Sequence, residues 1–208
     1  MAAMEPTFRK ATAEDSDLLA DLVLGEAEQE TTRAALALLG LRDFDEARRM
    51  FRMLWRAAEN WRQSELAVVD GGDAGVLQTG RSSIRITPAI VFAALRAFGP
   101  ARLLRIPSRL RIQGRVSPKK PEEAYVISEI HVAPEFRGRK IGEAMMARAE
   151  ADARKREFPM MALHTLTTNP ARRFYERLGF TVAAEATDAE FERLTGVAGN
   201  VLYVKRLD

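Results

Sequence analysis

The stretch from Ala124 to Leu166 constrains this chain more than any other. AYVISEIHV, 124 to 132, reads as a strand, and Ala133-Pro134 breaks it because proline cannot donate to a sheet ladder. From Ile141 to Arg156, Met145, Met146, Ala149 and Ala153 recur at the intervals of one helix face. Met160 to Leu166 is again a run of strand length. Strand, loop, helix and strand make a βαβ unit, so the two strands are expected to lie parallel with a right-handed crossover.

The flanks read as further short elements. Thr7 to Ala11 is a first strand, and Thr12 with Asp15 caps a helix whose inner face is Leu18, Leu19, Leu22 and Val23. A second helical piece, Thr32 to Leu39, stops at Gly40. Behind Asp45, the stripe Ala47, Met50, Phe51, Leu54, Trp55, Ala58 and Trp61 predicts a third helix, with both tryptophans in packing roles. Glu65 to Val69 and Gly75 to Gln78 flank Gly71-Gly72-Asp73 as a hairpin. Ala171 to Leu178 is a helix closed by Gly179, and Phe180 to Ala184 and Val201 to Arg206 are a last pair of strands. The whole, 1–208, reads as one domain with an insertion at 81–120. In that insertion Pro88 opens a helix carrying Val91, Phe92, Leu95 and Phe98, ended by Gly99-Pro100.

Composition removes several kinds of chemistry. No cysteine is present, which excludes disulfides, zinc thiolates and a cysteine nucleophile. The two histidines, His131 and His164, are too few for a histidine-rich metal site, and no metal is expected. No apolar run reaches membrane-spanning length and the first residues lack a secretory apolar core, so a cytoplasmic protein is expected. Charge is uneven. Residues 81 to 120 hold ten basic side chains and no acidic one against a net charge of +3, leaving the remainder negative by seven. Such a block suits an anionic partner or a solvated face.

EIHVAPEFRGRKIG, Glu129 to Gly142, runs from a strand end into a helix start. Free amides and the helix dipole at such a start suit a phosphate or diphosphate. Gly138 and Gly142 would let it approach the backbone, and Arg137, Arg139 and Lys140 add charge. The spacing fits neither the nucleoside-triphosphate loop nor the dinucleotide fingerprint. TTNPARRFYERLGF, Thr167 to Phe180, follows the next strand. Phe174, Leu178 and Phe180 serve packing there, but packing does not ask for Asn169-Pro170 or for Tyr175, a phenol able to act as a general acid.

Together, V-A-P-E-F-R-G-R-K-I-G and T-N-P-A-R-R-F-Y-E-R-L-G-F resemble the acetyl-CoA-binding signature of the GNAT superfamily of N-acyltransferases, over about residues 124 to 182. The resemblance implies an α+β fold: a mixed, mostly antiparallel sheet, helices on both faces and a V-shaped splay between two central parallel strands. It implies that Arg137, Gly138, Arg139, Lys140, Ile141 and Gly142 bind the CoA diphosphate. Pantetheine would lie along the freed edge at Ile130, His131 and Val132, Asn169 and Arg172 would touch the cofactor, and Tyr175 would protonate the departing thiolate. Lys140 departs from the pattern, since glycine is commoner there; the lysine requires φ < 0 or some backbone strain.

In such an enzyme the amine attacks the thioester directly in a ternary complex. Glu129, on the strand that carries the cofactor, is the first candidate for the base that deprotonates it. His131 shares its face by alternation, and His164, on the neighbouring strand, would reach the same cleft from the substrate side. The reading is an N-acetyltransferase acting on a primary amine of a small molecule or peptide, an acidic one included, with nucleic acid not expected as a partner and a homodimer left open. The alternatives are a nucleic-acid-binding module using 81–120 and a catalytically silent CoA-binding fold.

Overall fold

The computed structural model describes residues 5–27, 29–41, 43–80, 88, 92, 94–95, 99–100 and 104–207. Much of the insertion, including most of the helix expected from Pro88 to Phe98, lies outside the described residues.

Seven strands form the sheet: β1 (Thr7–Lys10), β2 (Ser64–Val69), β3 (Gly72–Thr79), β4 (Ala124–Val132), β5 (Met160–Leu166), β6 (Thr181–Thr187) and β7 (Gly199–Arg206). Their order is β1-β2-β3-β4-β5-β7-β6. All neighbours are antiparallel except β4 and β5, which are parallel as the crossover predicts. That parallel pair is short. Ala124, Tyr125 and Val126 pair with Met160, Met161 and Ala162, and beyond them the two strands run on without pairing to each other. The fold is the mixed α+β architecture with a central splay that the resemblance implies.

Seven helices are described: α1 (Ser16–Leu24), α2 (Glu30–Leu39), α3 (Phe44–Ala57), α4 (Ile106–Arg115), α5 (Ile141–Lys155), α6 (Arg172–Arg177) and α7 (Ala189–Thr195). α5 buries Ile141, Met145, Met146, Ala149 and Ala153 against Leu77, Tyr125, Ile127, Met161 and Leu163 on one sheet face. Each fully buried Ile, Leu or Met side chain here contributes roughly 1.5–3 kcal/mol, and the alanines contribute less. On the other face, Leu19 of α1 meets Leu66 and Val76, with Trp55 and Trp61 packed alongside. The tryptophans therefore pack, as their spacing predicts. Thr12 and Asp15 form the expected capping box, although it opens a short 3-10 turn before α1. α3 is capped by Asp43, whose side chain accepts from the Glu46 amide, and not by Asp45. α7 was not anticipated; Asp188 caps it by accepting from the Glu190 and Phe191 amides, and Gly196 ends it.

Ile112 and Val116, at and just after α4, cluster with Ala34 of α2 and Phe191 of α7. The Asn200 side chain on β7 donates to the Val116 carbonyl at 2.9 Å, which ties the end of the insertion to the sheet. Between α1 and α3, Asp21 takes hydrogen bonds from Arg48 and Arg52. Burial would raise that carboxyl, but the two guanidiniums hold it at about 2. No helix among the described residues is long and apolar enough to cross a membrane.

Candidate active site

Two features of β4 build the cleft. The first is the loss of pairing to β5 after Val126. The second is a bulge: Gln78 of β3 stands opposite Glu129, yet Thr79 stands opposite Ile127, so Ser128 is an extra residue. The Ser128 hydroxyl donates to the Gly80 carbonyl and fixes the bulge. Ile127, Ile130 and Val132 consequently all pack toward the α5 side. Glu129 and His131 turn to the opposite face, and His131 Nε2 lies 2.9 Å from Glu129 Oε2.

A cavity of about 360 Å³ opens between the diverging strands. β4 contributes Glu129, Ile130 and His131; β5 contributes His164 and Thr165; Asn169, Tyr175 and Asn200 also line it. Val23 and Leu24 of α1, Thr31, Thr32 and Ala35 of α2, and Phe51 of α3 form the facing wall. Six residues singled out from sequence, Glu129, Ile130, His131, His164, Asn169 and Tyr175, therefore share one space. Thr165, Asn200 and Phe51 were missed. Asn200 carries the one available signal, a polar residue beginning a strand whose neighbours are apolar.

Tyr175 is 7% exposed and sits among Phe174, Phe180 and Tyr203. Burial pushes its phenol up to about 12, and the Glu129 carboxylate pushes the same way. The group thus keeps its proton throughout the neutral range. His164 goes the other way. Burial pushes its imidazole down to about 4, Lys120 adds to the shift, and a hydrogen bond to the Pro118 carbonyl opposes both. Its Nε2 is buried without a hydrogen-bond partner. Asn169 is engaged locally: its Nδ2 donates to Thr165 Oγ1 at 2.7 Å and its Oδ1 accepts from the Ala171 amide. Arg172 donates to the Thr167 carbonyl and to the Tyr203 hydroxyl, and so braces the turn after β5.

The turn before α5 lies outside this cavity but close in sequence to its β4 wall. Arg137, Gly138, Arg139 and Lys140 are all exposed. No side chain caps α5, so its first amides are left to solvent or a ligand. Gly138 has φ +76°, and open space lies where a Cβ would stand. Lys140, at φ +59°, also occupies the left-handed region, so the lysine takes the strained alternative. Gly142 serves packing: a Cβ there would lie 3.4 Å from the Phe174 ring. Arg137 pairs with Glu26 and Arg139 with Asp70, each at 2.8 Å. Among the described residues no group of three or more His, Asp and Glu is placed to hold a metal ion.

Comparison with known proteins agrees with this geometry. Residues 110–182 match the family model described as Acetyltransferase (GNAT) domain. No curated protein sequence matches the chain. Among solved structures, one described as an acetyltransferase is 18% identical, with 97% of this chain and 100% of that chain covered and a TM-score of 0.63. A histone acetyltransferase HPA2 and related acetyltransferase from Corynebacterium glutamicum is 19% identical, covering 99% and 98% at a TM-score of 0.63. A PaiA N-acetyltransferase from Thermoplasma acidophilum, solved in complex with coenzyme A, is 15% identical, covering 98% and 100% at 0.57. At these identities the structures establish a common fold and nothing finer. The matched segment spans β4, the exposed turn, α5, β5 and α6, the elements that make the splay, so this part of the chain is similar to the GNAT acetyltransferase domain, and the fold is shared with acetyltransferases of known structure.

Proposed function

We propose that the chain is an N-acetyltransferase that passes the acetyl group of acetyl-CoA to a primary amine held in the same cavity. The divergence of β4 and β5 after three residue pairs, with Glu129 and Tyr175 on the wall of the resulting space, carries this reading. The residues suit CoA. The β4 edge from Ile127 to Val132 that faces β5 has no strand partner, so that edge can bond an amide-bearing arm along Ile130, His131 and Val132, where the Val132 carbonyl already takes a long contact, 3.4 Å, from Arg137 Nε. The uncapped start of α5, with Gly138, Arg139, Ile141 and Gly142 around it, suits a diphosphate. Lys140 makes no ion pair among the described residues and adds a free charge there. Arg137 stands at the same turn. Asn169 and Arg172 hold the turn after β5 in shape.

Bound acetyl-CoA supplies the activated acyl carbon. An amine enters as an ammonium and must shed a proton before its nitrogen can attack. Glu129 accepts that proton, and His131 at 2.9 Å keeps the carboxylate oriented. As the nitrogen gains the acyl carbon and the carbon–sulfur bond breaks, the Tyr175 hydroxyl gives its proton to sulfur, and the second proton shed by the acylated nitrogen restores the phenol. A phenol held protonated by burial suits that task. His164 Nε2 and Asn200 face the acceptor side and offer it polar contacts.

The cavity lining also bears on the acceptor. Glu129 is the one carboxylate among the lining residues and no lysine or arginine joins it. That composition favours an amine arriving as a cation over an acidic acceptor, which would find no counter-charge.

A thiol-release assay with acetyl-CoA against a panel of amines tests the reaction, and thermal stability against CoA concentration tests the cofactor alone, because a ligand of the folded state raises the midpoint. Release dependent on a cationic amine is expected. Absence of release with every amine, together with a midpoint indifferent to CoA, overturns the proposal.

A further inference from the structure

Most of the exposed large apolar side chains among the described residues fall in one stretch of the sequence. Among the described residues the exposed ones are Leu39, Phe92, Leu95, Leu104, Ile106, Leu110 and Val182, and five of the seven fall between 92 and 110. Leu104 is 81% and Leu110 58% exposed. Leu39, at the end of α2, borders a shallow hollow of about 60 Å³ together with Ile106 and Leu110 of α4. Scattered exposed apolar residues are ordinary, but a contiguous group marks a contact surface.

The charges carried by this segment itself have one sign. Residues 81 to 120 hold ten basic residues and no acidic one. At its far end α4 is tied down, since Arg115 pairs with Asp188 at 2.9 Å and with Glu190 at 2.5 Å. Arg105, Arg109 and Arg111 make no ion pair among the described residues. Arg109 borders the hollow, and its Nη1 is buried without a hydrogen-bond partner. A buried guanidinium nitrogen with no acceptor is costly, so this surface is short of an anionic oxygen.

A surface that lacks both an apolar phase and anionic oxygens fits the boundary of a lipid bilayer. We propose that α4, with Leu104 and Arg105 just before it, docks the protein onto anionic phospholipid, with Leu104, Ile106 and Leu110 entering the acyl boundary and Arg105, Arg109 and Arg111 meeting lipid phosphates. The four-residue spacings of Ile106 to Leu110 and of Arg105 to Arg109 set an apolar and a basic row side by side on the helix. Arginine stems can lie along the apolar row while their heads reach the phosphates. Nucleic acid offers the same phosphates but nowhere to bury three aliphatic side chains. Docking of this kind lies on the surface and needs no spanning segment, and it is independent of the chemistry in the cavity.

The test is co-flotation of the full chain with vesicles of phosphatidylcholine alone and of equal parts phosphatidylcholine and phosphatidylglycerol, at low and raised salt. Partition onto the anionic vesicles only, weakened by salt, is expected. Arg105→Gln with Arg111→Gln, and separately Leu104→Ser with Leu110→Ser, each lower that partition about tenfold, while the thermal midpoint shows that both variants fold. Equal partition onto the two lipid compositions, undiminished partition of both variants, or binding to single-stranded RNA in preference to the anionic vesicles overturns the proposal.

Discussion

Glu129 Oε2 and His131 Nε2 lie 2.9 Å apart although both residues sit on one strand. A strand places alternate side chains on the same face, and the bulge at Ser128 sets which face that is. The pairing leaves the carboxylate a restrained acceptor inside the cavity. Glu129→Gln keeps the volume and removes the proposed base, so kcat should fall about a hundredfold. Measured as thiol release against pH, the acid limb of kcat/KM should flatten as well. An unchanged profile would take Glu129 out of the mechanism.

Tyr175→Phe isolates the proposed proton donor. The ring stays among Phe174, Phe180 and Tyr203, so the thermal midpoint should barely move. The acyl-transfer rate should fall by about a hundredfold, with CoA affinity retained. Single-turnover kinetics beside a CoA titration separate the two effects, and equal losses in both would point to packing and not to acid catalysis.

Lys140→Gly should move stability and affinity in opposite directions. Lysine at φ +59° is strained, and glycine relieves roughly 1 kcal/mol of it. The same change removes a positive charge beside the start of α5, which weakens diphosphate binding. The expected result is a higher melting temperature with a higher Kd for CoA. A tighter Kd would place the diphosphate elsewhere.

His164 gives the fold a pH dependence of definite sign. Its folded-state pKa is about 4, against 6.5 for an ordinary histidine. Between those values the unfolded chain takes up a proton that the native chain refuses, so stability is complete above pH 6.5 and is lost as pH falls toward 4. The loss attributable to this group is on the order of 3 kcal/mol. His164→Gln removes it, and the denaturant midpoint of the variant should fall less steeply from pH 7 to pH 4.5 than that of the parent chain. Parallel slopes would show that His164 does not carry the effect.

How far sequence reading reached depended on whether a feature is local. The parallel pair, the turn at Arg137–Gly142 and the stop at Gly179 were legible because proline, glycine and helical spacing act within a few residues. Gathering Glu129, His131, His164, Asn169 and Tyr175 in one space followed from the βαβ unit together with the resemblance. The bulge at Ser128 was not legible, because it exists only through the pairing of β4 with β3 at Gln78 and Thr79. Asn200 reaches the cavity through β7, which lies beside β5 although distant from it in sequence. α7 had a local signal, Asp188 before it and Gly196 after it, and that signal was overlooked.

The early parting of β4 and β5 has a further consequence for the life of the protein in a cell. A sheet interrupted at its middle carries two rows of amide and carbonyl groups whose needs are left largely to water or to something threaded between them. An extended guest with its own amides would complete the ladder as a missing strand does. The chain made without such a guest would then be the more adhesive form, open to a stray segment of another molecule, and the guest would act as a guard against aggregation as well as a reactant.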